Sequence, residues 1–222
     1  MPYQELLNRL KSEADVNYKN FHKRLLKNDD INVLGVRVPI LRKIAKTFRD
    51  KIDELLSYPD EYYEVTFIKL TAVSYLDYVQ FIKHVDNCVS LIDNWATCDC
   101  FCPKCVETHR DAFLPYIKKY SVVDKEFYQR FALTTILHYY TEEEYAELIF
   151  SLIEKCNLSY YYVHMAAAWL IAEMLVKHYD ITKNFLLKNV LDKKTHNKAI
   201  QKACESFRLS DDRKKYLKGI KK

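Results

Sequence analysis

Apolar residues recur along this chain at three- and four-residue spacing rather than in alternation. Residues 2–13 place Leu6, Leu7 and Leu10 on one stripe, and residues 16–27 do the same with Phe21, Leu25 and Leu26. A polar break, KNDDINVLGVRVP, follows. Pro39 then suits the first turn of a helix, PILRKIAKTF, striped by Leu41, Ile44 and Ala45. From about residue 60 onward, helical stretches alternate with breaks expected at Pro59, 93–94, Pro115, 121–124, Thr141, 157–159 and Asp180. No long polar linker intervenes, so residues 1–222 are expected to form one domain.

The breaks are regularly spaced, and three helical segments align. QRFALTTIL (129–137), HMAAAWLIA (164–172) and NKAIQKACE (197–205) carry central alanines at Ala132, Ala167 and Ala199. A fourth segment, 64–71, lies about two periods earlier. A small residue at a repeating position lets neighbouring helices approach closely, and this period suits stacked helical pairs. The expectation is an all-α solenoid.

Composition sharpens what such a protein can do. The chain has only two glycines, Gly35 and Gly219. Loops that cradle phosphate need several glycines close together, so a P-loop and a dinucleotide-binding fingerprint are excluded. Seven cysteines in a sequence that opens on a charged amphipathic stretch rather than an apolar leader point to reduced thiols in a cytoplasm. Cys98, Cys100, Cys102 and Cys105 invite a zinc reading. However, Cys98, Cys102, Cys105 and His109 follow one another at helical spacing, and no second ligand pair exists, so a buried helix stripe is expected and no metal.

Charge is segregated. Residues 19–49 carry nine Lys/Arg, Lys27 among them, against Asp29 and Asp30, and residues 193–222 carry eleven basic side chains against three acidic. The stretch between is acidic. Two basic ends suit a polyanion gripped by its phosphates. Trp95 and Asp99 stand four residues apart, one turn of a helix, and the only other tryptophan is Trp169. A carboxylate in so apolar a run is either at a cleft or satisfied by a partner.

These residues resemble a known family. LGVRVPILRKIAK (34–46), NWATCDCFCP (94–103), YQRFALTTIL (128–137), YYVHMAAAWL (161–170) and HNKAIQKACES (196–206) are similar, in order, to segments of the bacterial DNA alkylation repair family typified by the AlkD glycosylases. The resemblance implies stacked HEAT-like repeats on duplex DNA. It also implies hydrolysis of the N-glycosylic bond of cationic N3- and N7-alkylpurines without base flipping, with no cofactor. By position it implies Trp95, Asp99 and Trp169 at the damaged nucleotide and Arg130 as a DNA contact. Arg37, Arg42, Lys43, Lys198 and Lys202 are expected to add phosphate contacts. The partner implied is double-stranded DNA carrying alkylated purines, bound by a monomer in the bacterial cytoplasm, at the nucleoid, with no membrane association. Two positions depart from the family pattern. Ala172 stands where active members usually carry arginine, and His164 where they carry glutamine. Three functions therefore remain open: a monofunctional glycosylase, a non-catalytic relative binding distorted or branched DNA, and a helical-repeat scaffold for another protein.

Overall fold

In a computed structural model, every residue is described except Lys27 and Asp29. Lys27, expected to end the second helix, therefore lies outside the described residues. Those residues form fourteen α-helices and two short 3-10 turns, with no strand among them. The all-helical class expected from the periodicity is borne out. Residue contacts group the chain into two compact units, Met1–His109 and Arg110–Lys222.

The first unit runs α1 (Tyr3–Ser12), α2 (Val16–Leu26), α3 (Val38–Lys46), α4 (Ile52–Leu56), α5 (Tyr63–Val73), α6 (Tyr78–Ser90) and α7 (Trp95–Cys100). Helix α5 packs against α3, α4, α6 and α7. All eleven of its residues are buried, so it carries no apolar face of its own. Its two charged residues are satisfied internally. Lys69, 1% exposed, donates through Nζ to the Tyr58 carbonyl at 2.5 Å and to Asp60 Oδ1 at 2.9 Å. The Glu64 carboxylate accepts backbone N–H bonds from Leu34, Gly35 and Val36 at 2.7–3.2 Å. That clamp shapes the polar break seen in the sequence. Within it Gly35 has φ +100°, and an added Cβ would lie 2.5 Å from the Asp15 carbonyl oxygen, so only glycine fits.

The second unit runs α8 (Arg110–Val122), α9 (Glu126–Tyr139), α10 (Ala146–Lys155), α11 (Tyr161–Lys177), α12 (Tyr179–Leu187), α13 (Lys193–Glu205) and α14 (Asp211–Gly219). Helix α11 lies between α9 and α13 and packs closely on both, while α8 packs on α10 and α10 on α12. These are packed helical pairs consistent with stacked repeats. The aligned segments fall on α9, α11 and α13, and Ala132, Ala167 and Ala199 are fully buried. Their methyl groups let neighbouring backbones approach.

Three expectations are corrected. On α2, Phe21 and Leu25 are exposed, and His22 and Leu26 face inward instead. His22 stacks on Tyr18 and tilts against Tyr63, which turns the helix so that the 22/26 pair takes the core. Pro115 does not break the chain but sits inside α8, where buried Phe113, Ile117 and Tyr120 hold the helix on both sides of the lost bond. The cysteine stripe is not helical throughout. Helix α7 stops at Cys100, because Cys102 precedes Pro103 and is steered away from helical geometry.

Candidate nucleic-acid site

Helix α7 exists because Asn94 caps it. The Asn94 side chain accepts the Thr97 backbone N–H at 2.9 Å, and Ala96, Thr97 and Cys98 are buried beneath. The opposite side of this short helix carries Trp95 and Asp99, both half-buried and one turn apart. The Trp95 indole N–H donates to the Leu25 carbonyl of α2 at 3.2 Å, which fixes the ring. Phe21 and Leu25, expected on the apolar stripe of α2, are exposed on that helix instead.

Basic residues flank this feature. Arg37 is exposed and bonds Asp15 at 3.0 Å, with its guanidinium 4.9 Å from the Tyr18 ring centroid. The Asp15 carboxyl is held below its ordinary range by the Tyr18 backbone N–H and by Arg37. Arg42 and Lys43 are exposed on α3. The Cys100 thiol is pushed up by burial, against the pull of the Arg42 guanidinium, and burial raises Cys102 to about 12. Such thiols stay protonated and are poor nucleophiles at neutral pH. Among the described residues no three His, Cys, Asp or Glu side chains come together as a metal site. His109 is exposed and stacks flat on Tyr78 at 4.3 Å, with its Nδ1 2.9 Å from the Cys105 carbonyl oxygen.

In the second unit, α11 presents one open stripe, Tyr161, Met165, Trp169 and Glu173, at four-residue spacing. Trp169 is 39% exposed there. It borders a cleft of about 270 Å³ whose lining includes Ala172, Glu173, Lys202 and Arg208. Arg208 meets Glu173 with two hydrogen bonds, 2.9 and 2.5 Å, which hold the Glu173 carboxyl below its usual value. Sequence reading did not single out this arginine, since its position in a turn gives no sign of which helix it reaches. Lys202 lines the cleft, and Lys198 donates to Gln201 on the same helix at 3.0 Å.

Arg130 is placed differently from the other basic candidates. It is 6% exposed, and its Nη1 donates to the Tyr162 carbonyl at 2.7 Å, with the guanidinium 5.7 Å from the Tyr162 ring centroid. Glu126 accepts the Tyr162 N–H at 2.6 Å, so α9 holds the first turn of α11 through both backbone groups of one residue. His164 is a core link: its Nδ1 lies 3.0 Å from Thr195 Oγ1, and that hydroxyl donates to Asp192 at 2.6 Å.

Compared with known protein families, residues 4–207 match the one described as DNA alkylation repair enzyme. That span covers nearly the whole chain. The chain belongs to the DNA alkylation repair enzyme family. No curated protein matches it. Membership agrees with the resemblance seen in the five sequence segments, and the family's description implies DNA as the substrate. No helix among the described residues is long and apolar enough to cross a membrane.

Proposed function

We propose that this member of the family, with the whole chain as one functional unit, is a monofunctional DNA glycosylase for cationic N3- and N7-alkylpurines in duplex DNA. The observation that carries the reading is the pairing of Trp95 and Asp99 one turn apart on α7, with the indole anchored to Leu25 and basic side chains on α3. An alkylated purine is already a cation, so it leaves with the electron pair of its C1′–N bond and needs little protonation. Positive charge then grows on the deoxyribose. The Asp99 carboxylate stabilises that charge and orients the water that adds to C1′, whose proton passes to solvent. The indole face of Trp95 favours the cationic sugar by its quadrupole. No bound cofactor enters the reaction, and no amine attacks C1′, so the product is an abasic site. The chain acts as a monomer in the bacterial cytoplasm.

The test is release of free base from duplex DNA bearing N7-methylguanine or N3-methyladenine. Wild type should release base and Asp99→Asn should not. Equal release by both would remove Asp99 from the reaction.

A second reading, DNA binding without excision, is favoured by two observations. Residue 172 is alanine, so α11 itself supplies no cation there, and Arg130 is spent on the Tyr162 carbonyl. This reading predicts salt-dependent duplex binding with no base released by wild type.

A further inference from the structure

The turn joining α13 to α14 carries Phe207, whose side chain is fully exposed. A phenylalanine in open water contributes nothing to the fold, and this one is not on a loose segment. Leu209, two residues on, is 3% exposed and anchors the turn, while Ser206 Oγ accepts the Arg208 N–H at 3.2 Å and Ser210 caps α14. Phe207 is therefore presented outward by a turn that is itself held.

Its neighbour Arg208 lines the cleft bordered by Trp169 and Ala172 and pairs there with Glu173. The arginine side chain is 58% exposed and the glutamate 19%. Glu173 thus positions a guanidinium whose outer edge is open to solvent. Lys202 stands on the same cleft, within a C-terminal segment of eleven basic and three acidic side chains.

We propose that residues 206–210 are a duplex-DNA contact element, in which Arg208 takes a backbone phosphate beside Trp169 and Phe207 stacks on a base at an opened step. The inference rests on the reading that this chain binds DNA, and it adds a named contact element to it. On binding, a phosphate oxygen pair replaces the Glu173 carboxylate on the guanidinium fork, since each presents two anionic oxygens that the fork can meet bidentately. Phe207 supplies an apolar wedge or stacking face, which unstacked steps accept regardless of base identity.

The test uses the full chain and a labelled duplex carrying 2-aminopurine next to a tetrahydrofuran abasic site, titrated at several salt concentrations. Phe207→Ala should weaken binding about fivefold or more, with the salt slope unchanged and the 2-aminopurine signal altered, because stacking releases no counterions. Arg208→Gln should lower the salt slope by about one, and Arg208→Lys should restore it. Glu173→Gln should tighten binding, because it frees the arginine. A purely structural ion pair predicts the opposite sign or no change. If wild type binds and both Phe207→Ala and Arg208→Gln match it in affinity and slope, the contact element is wrong and DNA binding stands. If wild type binds no duplex at low salt, both fall, and an acidic protein surface becomes the occupant of this turn.

Discussion

The Trp95 indole nitrogen donates to the Leu25 carbonyl at 3.2 Å, joining α7 to α2 across seventy residues of sequence. Leu25 is the next-to-last residue of its helix, and its carbonyl at the helix end accepts the indole N–H. The ring is fixed by a bond that a phenyl group cannot make.

Trp95→Phe should therefore cost stability as well as function. The variant is expected to lose about 1 kcal/mol in chemical denaturation, the net value of one hydrogen bond. Base release should fall further than this loss explains, since the ring is no longer held to one orientation. A variant as stable and as active as wild type would show that the bond orients nothing.

Gly35→Ala should be among the most destabilising single changes in the first unit. At φ +100° an L side chain is strained, and its Cβ would meet the Asp15 carbonyl at 2.5 Å and the Lys19 Cβ at 2.7 Å. A loss of about 2–4 kcal/mol is expected from denaturant midpoints. Glu64→Gln, which weakens the clamp on the same loop, should lose about 1–3 kcal/mol.

Arg130→Ala separates two roles for that residue. With the guanidinium gone, the Tyr162 carbonyl loses its Nη1 donor and the site of a buried side chain is left open. Thermal unfolding should shift down by an amount equivalent to about 2–4 kcal/mol. Duplex affinity measured below that transition should change little. An intact melting temperature with lost affinity would instead make Arg130 a direct DNA contact.

Three buried histidines, His22, His164 and His196, have values pushed below the ordinary 6.5 by burial, and Lys194 adds to that at His164. Each is harder to protonate in the folded protein than in the unfolded chain. Their contribution is fully present above about pH 6.5 and is lost as pH falls through that value toward the folded ones. Melting temperature should decline between about pH 7.5 and pH 5.5, and His164→Gln should make the decline shallower. An unchanged slope in that variant would mean His164 is protonated without cost.

Much of this protein is legible without coordinates. Leu6, Leu7 and Leu10 on α1 and Leu41, Ile44 and Ala45 on α3 are buried as their spacing says, because a helix that packs on one side needs apolar residues only there. The same local periodicity places Trp95 and Asp99 on one turn, and the repeated alanines foretell the α9–α11–α13 seam.

What periodicity cannot decide is which of two neighbouring stripes turns inward. Phe21 and Leu25 look more buried than His22 by hydropathy, yet ring contacts to Tyr18 and Tyr63 rotate α2 the other way. Likewise the sequence contains Arg130 and Arg208 as two equivalent cations. Only tertiary structure gives one a backbone carbonyl in the interior and the other a carboxylate at the rim of an open cleft. Helix position follows from local sterics and hydrogen bonding within a few residues. The partner of a charged side chain thirty or more residues away depends on how helices stack, and that is set by the summed packing of the core rather than by any residue near it.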